Sequence, residues 1–299
     1  MMGNYKKPGL GWIPDYPDLR DYTEATVDVK TLLEPTGLVE SDGKRRRRAR
    51  RALPPEVDLR EWCSGVEDQL SLGSCTAQAG AGILEYYERR SFGRHVEASR
   101  LFLYKVTRNL MKMKGDTGAY LRLTMGAMVL FGAPPEEYWP YTDGEKFDRE
   151  PPAFCYAFAE NYKTVKYYRH DPPGTPAESV LEEVKKYLAA GHPVMFGFTV
   201  YNSIEQAAES GRIPFPSARE KILGGHAVAA VGYDDKLKVK NVAGGTSATG
   251  ALLVRNSWGE GWGEKGYGWL PYEYVLRGLA EDHWSVLKKE WIDTGQFNI

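Results

Sequence analysis

The sequence predicts an α+β fold, because its helical signatures come early in the chain and its strand signatures come late. One amphipathic helix is expected from Ser74, as N-cap, to about Arg90. A second is expected from about Glu178 to Ala190, with Gly191 as its stop. Apolar runs typical of buried strands follow at residues 193–200, 227–233 and 251–254. Segregated rather than alternating elements favour α+β over a parallel sheet.

Composition excludes several classes of protein. The 299 residues carry 39 Lys+Arg and 40 Asp+Glu, so the whole surface is not suited to binding nucleic acid. No apolar run approaches the roughly 18 residues of a membrane span. The first residues lack the apolar stretch of a secretory signal, which predicts a cytoplasmic location, with non-classical secretion as the alternative.

The cysteine pattern argues against both a disulfide scaffold and a metal centre. Three cysteines are too few for the former, and an odd number leaves at least one free thiol. A bridge between Cys63 and Cys155 stays open if the protein is exported. Without a Cys-x-x-Cys motif or a Cys/His cluster, we expect neither a metal nor another cofactor.

Charge separates a leader, residues 1–52, from the remainder of the chain. Residues 1–43 are acidic and rich in proline, and residues 44–51 then bring seven positive charges in eight positions. Such a block repels itself and is normally extended. It fits a solvated linker, a proteolytic processing site or, less well without interleaved aromatic residues, a patch that binds an anion.

Three polar residues stand where chemistry is possible. Cys75 falls at the predicted helix start, where the helix dipole favours a thiolate. His226 precedes an apolar run and follows two glycines, and Asn256 opens a segment with five glycines and two tryptophans. Each also has an ordinary structural explanation: an inert buried thiol, a packing histidine and a loop that covers the core.

Taken together and in order, the motifs resemble the papain-like cysteine proteases. They are Gln69 followed by Gly-Ser-Cys75, then Gly-His226-Ala-Val, then Asn256-Ser-Trp-Gly-x-Gly-Trp-Gly. His226 and Asn256 follow Cys75 by 151 and 181 residues, slightly more than is usual for that family. The resemblance covers roughly residues 53–275.

This resemblance implies a role for each residue. Cys75 would be the nucleophile, His226 its general base and later acid, and Asn256 the group that orients the imidazole. The Gln69 amide and the Cys75 backbone N–H would form the oxyanion hole. Trp258 would shield the Asn–His hydrogen bond and line the leaving-group side, and Gly118 would belong to the backbone edge that binds an extended substrate.

Three positions depart from the family pattern: Leu72, Thr76 and Ala119. Leu72 stands where a disulfide cysteine is common, Thr76 where an aromatic residue is usual, and Ala119 where a second glycine is usual. None of them removes a catalytic group, so an active enzyme is expected.

The resemblance further implies a two-lobed fold with a cleft between a helical lobe, about 53–175, and a β-barrel-like lobe, about 176–299. We expect a monomeric endopeptidase that hydrolyses protein or peptide substrates through a thioester. The leader could lie extended along the cleft and restrain the enzyme as a zymogen, or it could be a disordered tail. A catalytically silent peptide-binding relative and a transpeptidase or ligase using the same triad remain alternatives.

Overall fold

The structure, a computed structural model, describes residues 8–39, 52–163 and 166–298. Its helices are α1 (Val27–Leu33), α2 (Cys75–Phe92), α3 (Arg100–Leu110), α4 (Leu121–Leu130), α5 (Ala153–Ala159), α6 (Ala177–Ala189), α7 (Glu273–Leu276) and α8 (Lys289–Ile292). Its strands are β1 (Glu56–Asp58), β2 (Lys166–Arg169), β3 (Val194–Tyr201), β4 (Ile222–Lys240), β5 (Ser247–Arg255), β6 (Tyr267–Pro271) and β7 (Ala280–Leu287). The prediction of an α+β fold is confirmed.

The strands form one antiparallel sheet in the order β2-β7-β3-β4-β5-β6, with β1 paired to β4. The two-lobed arrangement is as predicted, with α2 to α5 preceding the sheet strands β2 to β7 in the chain. The expectation of a barrel-like lobe is wrong. The path of paired strands ends at β2 and β6, which leaves the sheet open instead of closing it on itself.

The predicted helices are present with small differences at their ends, whereas strands β4 and β5 extend well beyond the predicted apolar runs. Strand β4 starts at Ile222, so His226 lies within the strand rather than at its start. Helix α2 begins at Cys75 and ends against Gly93, whose φ of +70° suits a C-terminal glycine. Ser74 does not cap the helix as predicted, because its hydroxyl bonds instead to the hydroxyl of Tyr141, at 2.6 Å.

A buried guanidinium connects helix α2 to strand β5. Arg255, at the end of β5, donates to the hydroxyl of Ser64, which in turn donates to the carboxylate of Glu85 on α2. The guanidinium also lies against Gly82, where a Cβ atom would stand only 2.5 Å from Nη1. The absence of a side chain at Gly82 therefore allows α2 to approach the end of β5, directly before Asn256.

The leader packs against the remainder of the protein over its described part, residues 8–39. Residues 9–13 are hydrogen-bonded on both sides, and the short helix α1 follows, which the sequence did not predict. Val29 and Leu33 of α1 are fully buried, and α1 contacts α8. The arginine-rich block, residues 44–51, lies outside the described residues.

Cys63, Cys75 and Cys155 are all free thiols, so the bridge between Cys63 and Cys155 is not formed. Within the described residues, no helix combines the length and the apolarity that crossing a membrane requires.

Replacement of Leu33 by alanine should destabilise the full-length protein. Its side chain is fully buried, and removal of such a group costs about 2–4 kcal/mol in the free energy of unfolding. Val27→Ala is the matched control, because Val27 lies on the same helix with 76% of its surface exposed. Urea denaturation measures both variants, and equal stabilities would show that α1 is not part of the cooperative core.

Candidate active site

Cys75 is the first residue of α2 and is completely buried. Burial raises the pKa of its thiol to about 11, because a thiolate loses solvation there. The backbone N–H groups of Ala227 and Gly11 donate towards the sulfur and offset part of this rise. The sulfur thus lies between the residue after His226 and a glycine of the leader, and it is protonated at neutral pH.

His226 is hydrogen-bonded to Asn256. The two side chains meet at 2.7 Å between Nε2 and the amide oxygen Oδ1, which also accepts the backbone N–H of Ser257. Since Oδ1 accepts, Nε2 of the histidine carries the proton and the neutral ring keeps its lone pair on Nδ1. Nδ1 is buried without a hydrogen-bond partner, and burial lowers the pKa of the imidazole to about 4.

Trp258 covers the imidazole of His226. The two rings are stacked with their centroids 4.6 Å apart and their planes at 28°. This contact keeps water from the bond between His226 and Asn256, which is the position that the family resemblance implies for the tryptophan.

Gln69 points its amide into the groove beside Cys75. Nε2 donates to the carbonyl oxygen of Gly9 in the leader, at 2.8 Å, and to that of Leu72, also at 2.8 Å. Its own oxygen accepts the hydroxyl of Ser257, at 2.5 Å, which fixes the orientation of the amide. A donor predicted for an oxyanion hole is therefore already bound to a peptide carbonyl.

The leader follows the groove as an extended peptide. The Ala119 N–H donates to the Gly11 carbonyl, at 2.7 Å, and the Ala119 carbonyl accepts the N–H of Ile13, at 3.1 Å, which makes a parallel bridge. Across the groove, the N–H of Trp12 donates to the Gly225 carbonyl, at 3.1 Å. The backbone edge that was expected at Gly118 thus pairs with the leader through the N–H and carbonyl groups of the next residue, Ala119. Gly118 itself, with φ +73°, leaves room for the leader, since a Cβ there would stand 2.3 Å from the Gly11 carbonyl oxygen.

Two leader glycines allow this close approach. A Cβ at Gly11 would stand 1.8 Å from the Gly73 carbonyl oxygen, and one at Gly9 would stand 2.2 Å from that of Leu72. Any side chain at either position is therefore incompatible with the observed path.

Two residues of the site were not predicted. Ser257, which orients Gln69, lies within the Asn-Ser-Trp motif, so its position beside Asn256 is the available signal. Asp282 accepts the indole N–H of Trp12, at 3.2 Å, although 270 positions separate the two residues. It lies beyond residue 275, where the resemblance ends, and only the three-dimensional structure reveals it.

One group of side chains has the spacing of metal ligands: Glu85, His95 and Glu97. Hydrogen bonds already involve each of them. Glu85 accepts from Ser64 and from the backbone of Ala98, and His95 pairs with Glu97 at 2.7 Å. These bonds explain the cluster without an ion, and the expectation that no metal is needed stays a prediction.

The chain is similar to known cysteine proteases. The family model described as "Papain family cysteine protease" matches residues 53–282. An uncharacterized peptidase C1-like protein of Acanthamoeba polyphaga mimivirus is 36% identical over 225 residues, which are 73% of this chain and 68% of that protein.

Solved structures with the same fold include xylellain, a cysteine protease from Xylella fastidiosa. It is 33% identical, with a TM-score of 0.71 over 96% of this chain and 98% of that chain. The fold is also shared with the proform of the ragweed pollen cysteine protease Amb a 11, which is 24% identical, with a TM-score of 0.58 over 80% of this chain and 67% of that chain.

The two-lobed α+β fold, together with the family match over residues 53–282, defines a cysteine peptidase. This chain belongs to the papain family of cysteine proteases. It is therefore a hydrolase whose substrates are proteins or peptides.

The thiol of Cys75 should react slowly with iodoacetamide in the full-length protein at neutral pH. With a pKa of about 11, only about one thiol in ten thousand is ionised at pH 7. Its alkylation rate, followed by mass mapping from pH 6 to 9.5, should rise about tenfold per pH unit. A chain that begins at Leu53, in which the sulfur is uncovered at a helix N-terminus, is the comparison and should react rapidly at pH 7. Equal rates at pH 7 would contradict the effect of burial.

Proposed function

We propose that the protein is an endopeptidase that cleaves peptide bonds through a thioester on Cys75. The observation that carries this proposal is the convergence of Cys75, the His226–Asn256 pair and Gln69 on a groove that already holds an extended peptide. Residues 9–13 of the leader are hydrogen-bonded along this groove as one continuous stretch of chain. A groove that admits a continuous chain favours cleavage within a substrate rather than at its end.

The proposed mechanism assigns one step to each group. Nδ1 of His226 takes the proton of the Cys75 thiol, and the thiolate attacks the substrate carbonyl carbon. The Gln69 amide and the Cys75 backbone N–H stabilise the oxyanion. The imidazolium returns the proton to the leaving amine, and water then hydrolyses the thioester with His226 again as the base. Asn256 holds the ring in the tautomer that this sequence needs.

We propose further that residues 1–52 restrain the enzyme as a zymogen. The leader occupies three groups that a substrate needs: the Gln69 amide, the Ala119 backbone and the surroundings of the Cys75 sulfur. Ion pairs add to these contacts, since Arg122 binds Asp15 at 2.6 Å and Asp21 at 2.8 Å. A tethered segment has a high effective concentration, so it competes strongly with free substrate.

Removal of the leader would complete activation. The arginine-rich block just upstream of Leu53 offers several sites for cleavage by a trypsin-like enzyme or by the protein itself. The separate domain that remains would be residues 53–299, with its helical lobe at about 53–175 and its sheet lobe at about 176–299. We expect it to be a cytoplasmic monomer.

Replacement of the nucleophile should abolish hydrolysis. In the chain that begins at Leu53, Cys75→Ala should lower kcat/KM by about 10⁴-fold or more, because the covalent step is lost. Cys63→Ala and Cys155→Ala are the matched controls and should keep most of the activity. A peptidyl vinyl sulfone should label Cys75 alone, as mass mapping would show.

The same assay separates the alternatives. A protein that binds peptides without cleaving them or reacting with the vinyl sulfone would be a silent relative. Formation of longer products in the presence of an added amine would identify a transpeptidase. Substantial hydrolysis by Cys75→Ala would contradict the assignment of the nucleophile.

The proposed inhibition by the leader can be tested in a chain that keeps the leader. We expect a full-length chain made uncleavable by Lys44→Ala and by Arg→Ala changes at positions 45–48, 50 and 51 to be at least about tenfold less active than the chain that begins at Leu53. Within this uncleavable chain, Gly11→Ala should restore activity, because its Cβ would collide with the Gly73 carbonyl. Leu19→Ala is the control, since Leu19 belongs to the leader with 94% of its surface exposed. If the uncleavable chain is as active as the truncated one, the leader is not an inhibitor.

A further inference from the structure

The leader places one large side chain, Trp12, in a pocket of the groove wall. Only 5% of its surface is exposed. The indole lies on Gly197 of β3, where a Cβ would stand 1.9 Å from Cε2, and on Gly225 of β4, where a Cβ would stand 2.8 Å from Cε3. Two glycines on neighbouring strands thus open a flat slot that any larger residue would fill.

The base of this slot is the carboxylate of Asp282, the acceptor of the Trp12 indole N–H. Asp282 is 1% exposed, and its backbone has a φ of +67°, which is uncommon for a residue other than glycine. Its other oxygen accepts the indole N–H of Trp284, at 2.7 Å, and its backbone N–H donates to Asp171, at 2.7 Å. These bonds hold one oxygen, Oδ2, towards the slot.

The charge of Asp282 is already paired. Nη1 of Arg169 lies 3.2 Å from its Oδ1, and Nε of the same guanidinium lies 2.8 Å from Asp171. Desolvation raises the pKa of Asp282 to about 6, so it is ionised in an assay at pH 7.5. The carboxylate at the base of the slot therefore acts as a hydrogen-bond acceptor, and the Arg169 guanidinium balances its charge.

The slot lies next to the reacting atoms. Gly11 donates towards the Cys75 sulfur, and Trp12 is the next residue along the leader. Gly9, two residues before Gly11, donates its N–H to the Leu70 carbonyl. The segment that contains Gln69 and Leu70 pairs with Ser257 and Trp258. The family resemblance implies that Trp258 lines the leaving-group side, which puts the slot, on the other side of Gly11, at the acyl side of the groove. The slot can receive the residue that precedes the one whose carbonyl is attacked.

We propose that Asp282 makes this slot select tryptophan at the residue preceding the cleaved one. The inference rests on the proposed endopeptidase function and adds a substrate class to it. A flat ring fills the space over Gly197 and Gly225, and its N–H satisfies Asp282. Phenylalanine would leave a buried carboxylate oxygen without a donor, and sites built around a hydrogen bond discriminate strongly against ligands that lack it.

Two substrates that differ only in a hydrogen-bond donor, with tryptophan or 3-benzothienylalanine, test the bond to Asp282 in the unaltered pocket. The chain that begins at Leu53 is assayed with peptides that differ only in this residue: tryptophan, 3-benzothienylalanine, phenylalanine or arginine. Benzothienylalanine has the shape of tryptophan with sulfur in place of N–H. Tryptophan should give a kcat/KM about tenfold above that of benzothienylalanine. Equal values would overturn the proposal, and so would a tenfold preference for arginine, which would make the slot a cation site.

Variants of the pocket add a second test. Asp282→Leu should bring the ratio between tryptophan and benzothienylalanine close to one, whereas Asp282→Asn, which keeps an acceptor oxygen, should retain a ratio above that of Asp282→Leu. Gly197→Val should lower kcat/KM for the tryptophan peptide more than for a peptide with alanine at that position, because it fills the slot. An unchanged ratio in Asp282→Leu would overturn the proposal. Asp282→Leu also removes contacts to Arg169 and Trp284, but if it does not fold, the substrate pair still decides.

The outcomes also separate this inference from the proposed function. Cleavage of every peptide at similar rates would refute the tryptophan preference and leave the endopeptidase assignment intact. Cleavage of none of them, together with no labelling of Cys75, would refute the assignment itself and the preference with it.

Discussion

The contact between helix α2 and the sheet determines the geometry of the site. Cys75 comes from the first turn of α2, whereas His226 and Asn256 come from β4 and from the end of β5, so their alignment depends on how closely α2 approaches these strands. The buried Arg255 guanidinium, which lies on Gly82 and bonds to Ser64, fixes this approach one residue before Asn256. A buried charge of this kind is stable only with its partners in place, so it accepts few alternative alignments.

The leader lies in the groove where the titratable groups of the site are buried. With the groove filled, the pKa of Cys75 is raised to about 11 and that of His226 lowered to about 4, both mainly by burial. At neutral pH the latent site therefore holds a neutral thiol and a neutral imidazole. Departure of the leader would return solvent to both groups and favour the charged pair. Burial in the filled groove thus also keeps the nucleophile protonated, because it removes solvent from the thiol.

The sequence predicted the parts of the site that are local, and it missed those that depend on distant contacts. Cys75 at a helix start and the Asn256 motif could be identified because neighbouring residues carry the signal. Helix α1 escaped prediction because its stability comes from burial of Val29 and Leu33 against other elements, not from a long amphipathic pattern. The open sheet was also missed, since closure depends on which strands pair at the edges and the strand patterns do not encode that. Asp282 could not be assigned because its partner, Trp12, is 270 positions away.

The path that the leader takes through the groove is closed, at two positions, to a peptide with side chains there. At residues 9 and 11 the leader lies so close to the Leu72 and Gly73 carbonyls that only glycine fits. A peptide with side chains at these two positions would need another path through the groove. A segment with glycine at both positions can lie closer to the groove wall than a peptide with side chains there. Under the proposed restraint, it blocks the groove without resembling a substrate. Glycine is then required at two positions of the leader, and tryptophan fills the slot at a third. Other described residues of the leader supply the ion pairs and the short helix that hold it in place.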